Sequence, residues 1–159
     1  MGAKAIIGQV EQVSFPELNI LNIHARIDTG ATSSAIWAVS ANVTDAGLEV
    51  VFLGSDTDWY TGTKHVFTEY DEVNVKSSMG NWESRFKIPL LVVIGKKHVR
   101  AWFTLANRSL QVYPVLIGRN VLQDTFLVDV TMGTALHEAV LSAREKALEQ
   151  QHAKERGNS

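Results

Sequence analysis

From Trp82 to Ile94, apolar and polar positions alternate. Trp82, Phe86, Ile88, Leu90, Val92 and Ile94 share one parity, and Glu83, Arg85 and Lys87 take the other. A period of two sends successive side chains to opposite faces, so the segment is a strand with one buried face. Val73 to Lys76 alternates ahead of it, and Ser77-Ser78-Met79-Gly80-Asn81 joins the two. That arrangement predicts a β-hairpin with a glycine-bearing tip. Gly95-Lys96-Lys97 forms a second turn, leading into the alternating set Val99, Ala101, Phe103 and Leu105. Val, Ile, Thr and aromatics between closely spaced turn signals predict further strands at 5–13, 21–28, 34–39, 48–53, 64–70 and 112–117.

Helical spacing is concentrated near the end of the chain. Between Thr134 and about Gln151, Leu136, Val140, Ala143, Ala147 and Leu148 recur at roughly helical intervals. Glu138, Arg144, Glu145, Lys146 and Glu149 largely cover the other side. Thr134 is placed to act as the N-cap. A short helix at 119–124 is also compatible with the pattern. The fold class is therefore mostly β with a C-terminal α-helix. We expect a β domain over residues 1–133, followed by a helix and frayed tail over 134–159.

Composition narrows the classes of function. The 159 residues are 45% hydrophobic and 20% charged, as in a globular domain and unlike a disordered one. With no cysteine, the chain has no disulfide scaffold, thiolate zinc site or cysteine nucleophile. A net charge of −2 leaves no electrostatic footprint for nucleic acid or an anionic membrane. The longest apolar run, Ile88 to Ile94, is far short of a membrane span. A cytoplasmic protein without nucleic-acid or membrane partners is the expectation.

Two short motifs carry the chemistry. Asp28-Thr29-Gly30-Ala31 follows the alternating Ile23, Ala25 and Ile27, so Asp28 stands where a strand meets a turn. A glycine there lets backbone and substrate approach closely, and turn N–H groups can orient a carboxylate. Taken alone, Asp-Thr-Gly is equally an ordinary turn. In Tyr113-Pro114-Val115-Leu116-Ile117-Gly118-Arg119-Asn120, an apolar strand runs into a glycine and a helix-compatible segment.

The two motifs, in this order and with a glycine-tipped hairpin between them, resemble the retropepsin pattern of aspartic proteases. Further matches are Phe15-Pro16-Glu17-Leu18, Ser34-Ala35-Ile36, Ser78 and Gly80 with Glu83 and Arg85, Asn107-Arg108, and Phe126-Leu127-Val128-Asp129. Together they cover about residues 8–130 and are similar to the RimK-associated bacterial retropepsin-like family that carries the name ATP-dependent zinc proteases. The resemblance implies a closed β-barrel and a catalytic loop of Asp28, Thr29 and Gly30, whose Thr hydroxyl ties two half-sites together. It also implies a flap whose residues Ser78, Met79 and Gly80 bind substrate together with Ala31. Gly118, Arg119, Glu83 and Arg85 then give structural support. The chain departs from the family at Thr32, where a basic residue is usual, and at Trp37, where His is common. Viral retropepsins carry an Asp at the Thr32 position that pairs with the Arg after the Ile-Gly strand. Arg119 therefore needs another partner, for which Glu83 is the expectation.

The cofactors in that family name find no motif here. His137-Glu138 would need a second His at Leu141 to form a zinc-binding helix, and Gly95-Lys96-Lys97 lacks the spacing and hydroxyl of a phosphate loop. No metal or other cofactor is expected. An aspartic protease needs two carboxylates, and this chain has one Asp-Thr-Gly. The expected enzyme is a homodimeric aspartic peptidase with Asp28 of each subunit on the axis, acting on a peptide or protein substrate. The alternative is a non-catalytic peptide-binding module on the same fold.

Overall fold

The computed structural model describes residues 2–77 and 79–157. It is mostly β. In chain order the strands are β1 (Ala5–Ile7), β2 (Val10–Phe15), β3 (Ile20–Ile27), β4 (Ser34–Thr44), β5 (Gly47–Phe52) and β6 (His65–Phe67). Next come β7 (Asp71–Lys76), β8 (Trp82–Ile94), β9 (Lys97–Ala106), β10 (Val115–Ile117) and helix α1 (Arg119–Leu122). Strand β11 (Phe126–Val128) and helix α2 (Thr134–Gly157) end the chain.

The larger sheet runs β10-β3-β2-β8-β9-β4-β5-β6, and β10 also pairs with β4. The pairings β10–β3–β2–β8–β9–β4–β10 therefore form a closed circuit, with β5 and β6 extending from β4 and β7 from β8. Inside lie Ile23, Ile36, Ile88, Val92, Phe103, Val115 and Ile117, all fully buried. Phe15 and Phe103 meet edge to face at 5.3 Å. Burial of each such side chain stabilises the fold by roughly 1.5–3 kcal/mol.

The expected strand at 5–13 is two strands. Gly8 breaks it, because a Cβ there would lie 2.6 Å from the carbonyl of Met132. The Gln9 N–H donates to that carbonyl at 3.0 Å, and β1 leaves the large sheet to pair in parallel with β11. The expected strand at 34–39 continues to Thr44, and those at 64–70 and 112–117 shrink to three residues each. In β8 the alternation holds from Ile88 to Ile94. It does not bury Trp82, which is 71% exposed on the projecting part of the hairpin.

Helix α2 begins at Thr134, one residue earlier than a Thr134 cap would place it. Its first bond runs from the His137 N–H to the Gly133 carbonyl, and the Thr134 hydroxyl accepts from Gln9 Nε2 instead of capping. No α2 residue is fully buried. The helix is held near its start by the Tyr113 hydroxyl against His137 Nδ1 at 2.7 Å, with the rings stacked, and by Arg144 donating to the Leu110 carbonyl. No helix of the described residues is long and apolar enough to cross a membrane.

Candidate active site

Strand β3 ends at Ile27, and the chain turns at once. The Asp28 N–H donates to the Ile117 carbonyl at 2.8 Å, so the last strand residue before Gly118 anchors the turn. The half-buried Asp28 carboxylate accepts from the Gly30 N–H at 2.9 Å through Oδ1, and the Ala31 N–H returns to the Asp28 carbonyl at 3.2 Å. Gly30 suits this close approach, since a Cβ there would sit 3.2 Å from the carboxylate oxygen. Hydrogen bonding of this kind fixes the orientation of the carboxylate. Thr29 and Gly30 are exposed.

Residues 117–120 lock the loop from behind. Gly118 packs so tightly that a Cβ would lie 2.4 Å from the Ser33 carbonyl oxygen and 2.9 Å from that of Ala31. The Gly118 N–H donates to the buried Ser34 hydroxyl at 2.9 Å, and that hydroxyl donates to Asn120 Oδ1 at 2.7 Å. Asn120 Nδ2 continues to the Trp102 carbonyl at 2.8 Å. The Arg119 N–H bonds the Ala31 carbonyl at 2.8 Å. Ser34 and Asn120, quoted in the motifs without a role of their own, are thus structural members of the site. Their signal is weak in sequence because the two residues stand 86 positions apart.

The expected Arg119–Glu83 contact is corrected. The Arg119 guanidinium donates to the Thr29 carbonyl at 3.1 Å and to the Thr32 hydroxyl at 3.0 Å. Glu83 instead pairs with Arg85 at 3.0 Å. The reason is local: residues two apart on a strand share a face, whereas Thr32 lies in the loop that Arg119 already touches. Glu83 and Arg85 therefore belong to the hairpin and not to the support of the Asp28 loop.

The hairpin of β7 and β8 pairs from Asp71↔Lys87 to Lys76↔Trp82. Its turn is closed by the Ser77 N–H to the Asn81 carbonyl at 2.7 Å and the Gly80 N–H to Ser77 at 2.9 Å. Gly80 takes φ +85°, a conformation that glycine adopts without strain. Met79 is 84% exposed. Ser78, the third expected flap residue, lies outside the described residues. Lower on the hairpin, the Ser84 hydroxyl donates to Glu72 and Phe86 meets Tyr70 edge to face.

Arg108 donates to the Tyr113 carbonyl at 2.9 Å, and burial followed by repulsion from Arg85 holds its pKa below the ordinary arginine value. Trp37 is core, its ring so close to Gly54 that a Cβ there would strike it at 2.5 Å. Lys97 donates to the Ala3 carbonyl, and Arg100 pairs with Glu17. Among the described residues, no group of three or more His, Asp or Glu side chains could hold a metal ion.

Residues 6–136 match the family described as RimB-like, retropepsin-like aspartic endopeptidase RimB. The chain belongs to this family. The matched description rests on aspartic chemistry, and the comparisons lend nothing to the zinc in the other family name. Two curated relatives, from Desulfotalea psychrophila and Shewanella pealeana, are each named probable alpha-L-glutamate ligase. Both are 30% identical, over 98% and 85% of this chain respectively. The chain spans only about a third of their length, 34% and 30%. A solved Legionella pneumophila protein of unknown function superposes with a TM-score of 0.63 and 25% identity, over 82% of this chain and 96% of its own.

Proposed function

We propose that this RimB-like chain is a homodimeric aspartic peptidase, with Asp28 of each subunit forming the catalytic pair. One observation carries the reading. Asp28 ends a core strand in a turn where Gly30 orients its carboxylate and Gly118 and Arg119 lock the backbone. The closed circuit of strand pairings supports a retropepsin-like barrel around it. One such aspartate is half a site, so a second copy related by a two-fold axis completes it.

Two carboxylates about 3 Å apart cannot both ionise, so they share one proton, and the two titrations belong to the pair. The ionised member takes a proton from the attacking water, and the protonated member gives its proton to the substrate carbonyl oxygen. As the tetrahedral intermediate collapses and its C–N bond breaks, the carboxyl that took the water's proton gives it to the leaving amine, and a hydroxyl of the intermediate returns its proton to the other carboxylate, restoring the shared proton. The hairpin of β7 and β8 would close over an extended substrate, with Met79, Gly80 and Ala31 offering contacts.

The relatives' ligase name supports a substrate class, peptides bearing glutamate. Arg85 and Arg108, near enough to repel each other, would meet its carboxylates. A second reading, a non-catalytic peptide-binding module, is favoured by the same name, since ligase chemistry need not involve Asp28.

The deciding experiment is Asp28→Asn. Loss of cleavage of glutamate-bearing peptides, with an unchanged circular dichroism spectrum and dimer mass, is the expected result. Retained cleavage would overturn the peptidase assignment.

A further inference from the structure

A groove of about 310 Å³ lies outside the Asp28 loop, since none of residues 28–32, 79–80 or 118–119 lines it. One wall is residues 65–69, and the other includes Glu17, Leu18, Pro89 and Arg100. The five consecutive residues of the first wall are informative. His65, Val66 and Phe67 are the whole of β6, and Thr68 and Glu69 are the bend after it; a sheet face presents every second side chain, so a run of both parities from one strand marks its edge. That edge belongs to β6, the last strand of the sheet, which among the described residues pairs only with β5.

The opposite wall is also an interrupted edge. Strand β8 pairs with β7 as far as Lys87 and with β2 at Val93, leaving the stretch between without a strand on that side. There the Leu91 N–H donates to the Glu17 carboxylate at 2.9 Å instead of to a neighbouring strand, and Pro89 has no N–H to donate. Glu17 also holds Arg100 at 2.9 Å. Two carboxylates, Glu17 and Glu69, line the groove against one guanidinium, Arg100, so the balance is negative when His65 is neutral. Phe67 and Leu18 supply apolar surface between them.

We propose that this groove binds an extended peptide segment carrying a basic side chain, added as a strand to the open edge of β6. Main-chain hydrogen bonds to β6 give the affinity, and Glu69 takes the basic group. Thr68, Glu69 and Tyr70 link β6 directly to the first strand of the β7–β8 hairpin, so an occupant here lies one short turn from that hairpin.

The test uses the full chain carrying Asp28→Asn, so that no probe is cleaved, and the peptide acetyl-Thr-Val-Lys-Val-Thr-amide. Saturable binding by calorimetry, with new amide-exchange protection confined to residues 65–68, is expected. N-methylation of the peptide backbone abolishes it. Glu69→Lys, on an exposed side chain, weakens it about tenfold and lets a second probe, acetyl-Thr-Val-Glu-Val-Thr-amide, bind instead. Binding indifferent to N-methylation or to Glu69→Lys, protection centred on residues 28–31, or no binding at millimolar peptide would each overturn the proposal. Because Asp28 is already replaced, none of these outcomes depends on the peptidase reading.

Discussion

The Arg119 guanidinium bonds the Thr32 hydroxyl at 3.0 Å and, with its other nitrogen, the Thr29 carbonyl at 3.1 Å. The residue following the glycine of the apolar strand therefore grips the loop beside Asp28 from two sides. Thr32→Val removes one acceptor while leaving the loop backbone able to form. It should cost about 1 kcal/mol of stability, the usual net worth of one hydrogen bond. Thr32→Asp should instead raise the melting temperature, because a carboxylate facing a guanidinium makes a stronger, charge-assisted bond. Thermal melts of the two variants check both signs, and a Thr32→Asp protein less stable than the parent would contradict the geometry.

Gly118 leaves no room for even a methyl group. Its φ of −101° is ordinary, so the constraint is space alone. The nearest atoms are backbone carbonyls of Ser33 and Ala31, which cannot rotate aside. Gly118→Ala should destabilise the protein by about 1–3 kcal/mol, as overpacking does, and displace the Asp28 turn. Denaturant titration gives the first quantity. Chemical shifts of residues 28–31 report the second, and an unperturbed turn would refute the argument.

Arg108 offers a separable test of substrate chemistry. Its Nε bond to the Tyr113 carbonyl is structural, so Arg108→Lys keeps a cation but loses the forked donor. For glutamate-bearing peptides we expect KM to rise severalfold, with kcat nearly unchanged, since the lost contact is made before and during reaction alike. Glutamine-bearing peptides should show little change. Equal effects on both peptides would point to a purely structural arginine.

Acid sensitivity follows from two histidines. Burial holds both His24 and His65 below the ordinary value of 6.5. As pH falls through 6.5, the unfolded chain takes up protons that the folded chain resists. The stability owed to the neutral imidazoles is thus complete above about 6.5 and is lost as pH drops below it. Melting temperature should decline from pH 7 to 5, and the double variant His24→Gln, His65→Gln should flatten that decline. Glu17, held low chiefly by its hydrogen bond to Arg100 and then by the Leu91 N–H, acts in a lower window. Its contribution is present above the ordinary 4.5 and is lost as the folded carboxyl titrates.

Much of the fold is legible along the chain because strand periodicity is a local property. The alternation from Ile88 to Ile94 and from Val99 to Leu105 names the residues that fill the core, and β8 and β9 pair across Gly95 as adjacent strands joined by a short turn do. The same rule misplaces Trp82, since parity says which face a residue takes and not whether anything covers that face. The split at Gly8 was hidden for a related reason. Residues 5–13 are apolar enough for one strand, and only the arrival of Met132 from the far end of the chain divides them.

The chain on its own determined the position of Asp28 at the end of an apolar strand, the glycine beside it and the single occurrence of the motif, because short-range stereochemistry sets these. Tertiary structure decided how that turn is held. Ser34 reaches Asn120, Gly118 reaches Ser33, and Arg119 chooses Thr32 over Glu83. Those choices rest on distances between segments about ninety residues apart, which sequence spacing does not encode. The open edge of β6 belongs to the same class, since a strand's missing neighbour is defined only once every other strand has found its own.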